Sequence, residues 1–235
     1  MGVAYAMYEL YIANKNYSSW SLRPWILMRE LEIPFNERMV PFEQEGNWKS
    51  FRTFSPTGLV PSLHDGSIVV WDSLGIIEYL AERHDSVWPV APSARAWARC
   101  ASAEMHSGFG TLRAQCSMNC GIRVRLNEIS PALQRDIDRI SELWNEGLAR
   151  FGGPFLAGET FTAVDAFFAP VAFRIQTYGL MLDEAPASYA KRILALPSMQ
   201  SWYNDALVEP WRESGHEAEA KQSGTLLEDL RAAVL

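Results

Sequence analysis

Almost all of the strand-forming sequence in this chain lies in its first third, and that asymmetry limits what it can fold into. Residues 8–13 form a short run rich in aromatic and β-branched side chains, closed by Asn14-Lys15-Asn16, which predicts a strand and a loop. From Ser21 the pattern changes: Leu22, Ile26 and Arg29 interleave with Trp25, Met28 and Leu31 at helical spacing, and Pro24 is tolerable in a first turn. Residues 33–40 read as a second strand, and 46–54 as a short helix and loop. Ser62-Leu63-His64 and residues 67–70 flank Asp65-Gly66, a strong two-residue hairpin signal. Asp72-Ser73 then opens a helix over 74–83, with Leu74, Ile77 and Leu80 on one face. The order β-α-β-(α)-β-β-α predicts a mixed sheet flanked by helices.

Residues 85–92, with two prolines, read as a linker. Beyond them, helices are expected over 94–116, 131–151, 163–178, 188–194 and 199–209, an all-α second domain. Thr162-Ala163-Val164-Asp165 has the spacing of a capping box at the start of one of them. The division is therefore 7–84, a linker 85–93, and 94–235.

The 235 residues are 48% hydrophobic and 21% charged, enough for one or two domains with a proper core. A net charge of −7 argues against a surface that tracks phosphates, so no nucleic-acid partner is expected. No apolar run reaches membrane-spanning length, and Met1-Gly2-Val3-Ala4-Tyr5-Ala6-Met7 lacks the pattern of a signal peptide. Cys100, Cys116 and Cys120 are too few and too clustered for a disulfide framework, which points to a reducing cytoplasm. Cys116 and Cys120, four apart, suit one helix face; no metal-ligand set accompanies them, and none is expected.

Three short motifs carry candidate chemistry. Ser18-Ser19-Trp20-Ser21-Leu22-Arg23 sets two hydroxyls where a strand gives way to a helix. Gly58-Leu59-Val60-Pro61 sets a Val-Pro step ahead of the hairpin, and Asp72-Ser73 sets an acid and a hydroxyl at a helix start. Taken singly, each has a plain reading: two helix caps and an edge proline. Their joint occurrence in this order, followed by a helical domain with its capping box, resembles the glutathione transferases, nearest to the zeta and related bacterial serine-type branches. The resemblance covers nearly the whole chain. It implies a thioredoxin-like N-terminal domain, an all-helical C-terminal domain, and glutathione as co-substrate with a small electrophile.

It also implies roles. Ser18, with Ser19 as second candidate, would donate a hydrogen bond to the glutathione thiolate. A free thiol has a pKa of roughly 8.5, and lowering it by two units takes about 2.7 kcal/mol. A charge-assisted hydrogen bond supplies about 1.5–3 kcal/mol, and the positive end of a helix about 0.3–1 kcal/mol more. The Val60-Pro61 bond would be cis, with Leu59 and Val60 offering a backbone edge to the cysteinyl unit, and Trp20 lies beside them. Asp72 and Ser73 would hold the γ-glutamyl end.

For the acceptor pocket the candidates are Trp20, Met105 and Phe109 for an apolar acceptor, and His106, Arg113 and Arg174 for an anionic one. Met105 and Phe109 equally suit a core, and Arg113 a solvated face. His64 and His84 are given no catalytic part. Zeta enzymes carry a cysteine where Trp20 stands, a departure that counts against isomerisation of maleylacetoacetate. Glutathione-dependent isomerisation and β-ether cleavage start from the same thiolate and are kept as alternatives, as is a non-catalytic glutathione-binding scaffold. The resemblance further implies a twofold homodimer, with Ala98, Ala101, Ser102, Met105 and Phe109 suited either to its interface or to burial within one chain.

Overall fold

The computed structural model describes residues 7–233. Its first part is a four-stranded sheet of β1 (Tyr8–Ile12), β2 (Phe35–Met39), β3 (Ser62–Asp65) and β4 (Ile68–Trp71), in the order β2-β1-β3-β4. β1 runs parallel to β2, which forces a crossover, and α1 (Ser19–Glu30) makes it. β3 and β4 run antiparallel about a two-residue turn at Gly66-Ser67, one position later than expected because Asp65 pairs with Ile68 as the last residue of β3; Gly66 supplies the positive φ (+59°) of such a turn. A short α2 (Trp48–Phe51) precedes β3, and α3 (Ser73–Ala81) follows β4. Leu10, Ile12, Leu22, Ile26, Leu63, Ile76, Ile77 and Leu80 are fully buried between sheet and helices. This is the thioredoxin-like arrangement the resemblance implies.

The helical part comprises α4 (Pro92–Ser107), α5 (Gly110–Gln115), α6 (Pro131–Phe151), α7 (Ala163–Tyr178), α8 (Glu184–Leu194), α9 (Pro197–Val208) and α10 (Ser214–Ser223). α7 is buried on nearly every side and packs against α1, α4 and α8, so it joins the two parts. At its start the Asp165 carboxylate accepts from the Thr162 N–H (2.9 Å) and hydroxyl (3.3 Å), the Leu156 N–H (3.0 Å) and the Tyr189 hydroxyl (2.9 Å). Among the described residues no helix is long and apolar enough to cross a membrane.

Two features depart from the expected helices. The single helix over 94–116 is two, because Phe109 turns left-handed at φ 55°. The Arg113 guanidinium caps the break, donating to the carbonyls of Met105 (2.8 Å), His106 (3.0 Å) and Gly108. Cys116 and Cys120 consequently fall in the segment after α5 rather than on one helix face; both are buried. In addition, the helical part carries a two-stranded antiparallel sheet of β5 (Ile122–Leu126) and β6 (Gly224–Asp229). Ala98, Ala101, Ser102, Met105 and Phe109 are all buried within the single chain, so they are not available as an interface stripe.

α10 and β6 close back on the sheet domain through charged contacts. The Tyr17 hydroxyl donates to Glu217 Oε1 (2.6 Å), and Arg231 binds both Glu217 and Asp229. Burial opposes ionisation of Glu217, but the Arg231 and Tyr17 hydrogen bonds outweigh it and hold the carboxyl below its ordinary range. Arg231 holds Asp229 low in the same way. A carboxyl lowered on folding stabilises the fold above its unfolded pKa, and that share is lost as pH falls through the folded value. Glu217→Gln is therefore expected to lower the denaturant midpoint at pH 7, by about 1.5–3 kcal/mol in stability. The gap from the wild type should close as the pH is taken down through 4; a gap unchanged at acid pH would refute this.

Candidate active site

The β1–α1 loop is fixed from the helical part. Glu209, at the end of α9, accepts from the Lys15 and Asn16 N–H groups and from Asn16 Nδ2 (3.1 Å), and Trp202 Nε1 donates to the Lys15 carbonyl (2.8 Å). Lys15 Nζ pairs with Glu37 (2.8 Å) and Asp205 (2.7 Å). This loop delivers Ser18 to the position before α1 and Ser19 to its first turn.

Both serines border a cavity of about 280 Å³, shared with Trp20, Leu59, Val60, Arg113 and Arg174. The hydroxyl of Ser18 caps no backbone N–H of α1; it donates to Ser21 Oγ at 2.7 Å. Ser19 Oγ accepts from Arg174 Nη2 at 3.4 Å. The Val60–Pro61 bond is cis, and Val60 N–H and C=O are hydrogen-bonded to no other described residue. Helix capping, the plain reading of the serines, thus accounts for neither side chain.

Asp72 and Ser73 stand apart from that cavity but are linked to it. Asp72 sits at φ 67°, a costly conformation for a non-glycine residue, and its carboxylate accepts from Leu74 N–H at 2.8 Å, capping α3. Ser73 is fully buried and its Oγ accepts from Arg23 Nη1 at 3.4 Å. Arg23 stacks on Trp20, whose ring meets His106 edge-on, and His106 Nε2 lies 3.6 Å from Asp72 Oδ1.

Among the acceptor-pocket candidates, Trp20, Arg113 and Arg174 border the cavity. Met105 and Phe109 are core residues, 1% and 7% exposed, and His106 meets the Trp20 ring edge-on without bordering the cavity. His64 and His84 make structural bonds, His64 Nε2 to the Phe54 carbonyl (2.7 Å) and His84 Nε2 to the Tyr8 hydroxyl (3.1 Å).

Sequence reasoning missed Arg23. It is 2% exposed, and among the described residues no carboxylate lies within hydrogen-bond distance of it and its Nε has no partner. Burial lowers its pKa well below the usual value, and the guanidiniums of Arg113 and Arg174 add to the effect. Its signal was a lone cation in the otherwise apolar run Leu22–Met28, where only a specific role justifies a charge. His216 and Glu219, from α10, also border the cavity and were not anticipated. Arg23, Arg113 and Arg174 together make this end of the molecule electropositive, although the chain as a whole is acidic.

This geometry has counterparts. Residues 17–83 match the family model described as glutathione S-transferase, N-terminal domain, and residues 127–205 match that described as glutathione S-transferase, C-terminal domain. The glutathione S-transferase-like protein OpS6 of Beauveria bassiana is 25% identical over 172 residues, spanning 69% of this chain and 76% of that protein. A probable maleylacetoacetate isomerase of Vibrio cholerae is 24% identical over 192 residues, spanning 77% and 89%. Among solved structures, a Burkholderia glutathione transferase homologue with bound glutathione superposes with a TM-score of 0.64 at 21% identity, over 86% of this chain and 98% of its own. The two family models together take in more than half of the sequence and meet the sheet and the helical part in the order in which the chain folds them, so this chain belongs to the glutathione S-transferase family.

Proposed function

We propose that the protein is a glutathione transferase that holds the glutathione thiolate on a serine hydroxyl at the start of α1 and delivers it to a small electrophile. The observation that carries this reading is the pair Ser18 and Ser19: neither hydroxyl caps the helix, and both border one cavity with the free backbone edge of Val60. That edge suits strand-like pairing with the cysteinyl unit, and the start of α3 at Asp72-Ser73 suits the γ-glutamyl end. Both serines are below 10% exposed, so a hydrogen bond from either acts with little water to weaken it. A serine in this role donates and does not attack, so it needs no His or Asp beside it.

Trp20 and the exposed Leu59 give the cavity an apolar wall, while Arg113 and Arg174 give it a cationic one. Turnover with glutathione on a panel of electrophiles tests the reading. A chloronitrobenzene, a hydroperoxide and maleylacetoacetate separate conjugation, peroxide reduction and isomerisation. Conversion of any of them that depends on glutathione supports the proposal. Tight glutathione binding with no turnover on a broader set would favour the scaffold alternative.

A twofold homodimer is part of the same proposal, supported by the family and by the prevalence of such dimers among soluble assemblies. Light scattering at micromolar concentration is expected to give about twice the 26.5 kDa chain mass, and a mass of one chain would refute it.

A further inference from the structure

The two serines at the start of α1 differ in what they have left to offer a sulfur atom. Ser18 Oγ donates to Ser21 Oγ at 2.7 Å, so its proton is committed within the loop. Ser19 Oγ accepts from Arg174 Nη2, which occupies a lone pair and leaves the Ser19 proton free. Arg174 is 4% exposed, on α7, and its remaining bonds go to the carbonyls of Cys116 (2.8 Å) and Pro170 (3.4 Å). Among the described residues none of its hydrogen-bond partners is a carboxylate. A buried cation without a counter-ion is costly, and an anion arriving beside it recovers part of that cost.

The groups around Arg174 do not remove the imbalance. Arg113 on α5 adds a second positive charge, and Arg23 on α1 a third. Tyr178 on α7 and Cys116 and Cys120 after α5 face it as well, and burial pushes the Tyr178 and Cys116 groups up to about 12, so these are neutral at pH 7. The Cys120 thiol is pushed up further by burial. From α10, His216 and Glu219 border the cavity, and Glu219 is the one carboxylate among the lining residues. Burial, with Arg113 beside it, lowers Arg174 only to about 10, so it remains charged.

We propose that Ser19 rather than Ser18 donates the hydrogen bond to the glutathione thiolate, and that Arg174 is the positioning residue that orients and polarises Ser19. This rests on the reading of the site as a glutathione transferase. In the step concerned the thiol loses its proton to solvent and the sulfur keeps the electron pair. Ser19 retains its own proton, shared with the sulfur, and no bond to carbon is made or broken.

The test is the pH titration of thiolate absorbance for glutathione bound to the wild type and to Ser18→Ala, Ser19→Ala, Arg174→Gln, Arg174→Lys and Ser19→Ala/Arg174→Gln. Ser19→Ala and Arg174→Gln are each expected to raise the pKa of the bound thiol by about one unit or more, and the double variant little further than either. Arg174→Lys should recover part of the shift, which a loss of packing alone would not. Ser18→Ala should move the pKa by less than about half a unit.

A pKa that follows Ser18 and ignores Ser19 overturns the inference, as does one indifferent to the charge at position 174. Should the Arg174 variants fail to fold, the comparison of Ser18→Ala with Ser19→Ala still decides the donor, and a Ser18-dependent pKa still refutes it. A wild type that binds no glutathione, or binds it only as the thiol, overturns the transferase reading itself and is thereby told apart.

Discussion

Replacing Asp165 with alanine is expected to cost the fold about 3–5 kcal/mol, a large share of an ordinary domain's 5–15 kcal/mol. The carboxylate is fully buried and accepts four hydrogen bonds, two of them from backbone N–H groups. Truncation leaves the Leu156 and Thr162 N–H groups and the Tyr189 hydroxyl without partners, at about 1–3 kcal/mol for each that water cannot reach. The effect should extend beyond α7, since that helix packs on α1 and so supports the serine loop. Denaturant unfolding should show a lower midpoint with an unchanged slope. Asp165→Asn, which keeps one acceptor oxygen and the shape, should fall between the two. A midpoint for the alanine variant within the wild-type error would contradict the role given to this carboxylate.

The second large effect concerns glutathione binding. The double variant Asp72→Ala/Ser73→Ala is expected to weaken glutathione affinity by about 10- to 100-fold, as the loss of one or two hydrogen bonds to charged groups implies. The pKa of the bound thiol should change little, because these contacts act at the other end of the peptide and hold throughout the reaction. Asp72 also caps α3, so a loss of helix stability must be separated from a loss of ligand contact. Asp72→Asn does so: it keeps an acceptor for the Leu74 N–H and removes the charge that would meet the γ-glutamyl ammonium. Calorimetry with unaltered affinity in the double variant would refute the assignment.

The sheet domain was legible because its signals are local. The aromatic and β-branched run of β1, the hairpin signal at Asp65-Gly66 and the helix starts near Ser18-Ser19 and Asp72-Ser73 each declare themselves within ten residues, and the structure has them within a residue or two. α6 and α7 were equally plain, with a proline at the first position of α6 and the Thr162 to Asp165 spacing at the start of α7. What escaped depends on distant partners. The break between α4 and α5 rests on Phe109 turning left-handed and on Arg113 reaching back to cap the freed carbonyls. β5 pairs with β6 across roughly a hundred residues. The alternation Ile122, Arg123, Val124, Arg125, Leu126 was a visible period-two signal for it, but nothing nearby announced a partner.

The site was legible in the same partial way. The serines, Val60-Pro61 and Asp72-Ser73 are contiguous motifs. The arginines that surround them come from α1, α5 and α7 and meet only in three dimensions. Arg113 and Arg174 could be named from their helices, yet the bond from Arg174 to Ser19 joins residues 155 positions apart. His216 and Glu219 reach the cavity because β6 folds back on β5 and carries α10 with it, a consequence of pairing that the sequence left unannounced.

A serine hydroxyl serves this site only if glutathione is bound there as the thiolate. The most direct measurement is the ultraviolet thiolate absorbance of glutathione bound to the wild-type protein, followed as a function of pH with binding checked by calorimetry. A serine hydrogen bond aided by the start of α1 and by Arg174 predicts a bound pKa of about 6.5, some two units below that of the free thiol. Glutathione that binds but keeps its thiol pKa near 8.5 would contradict the account.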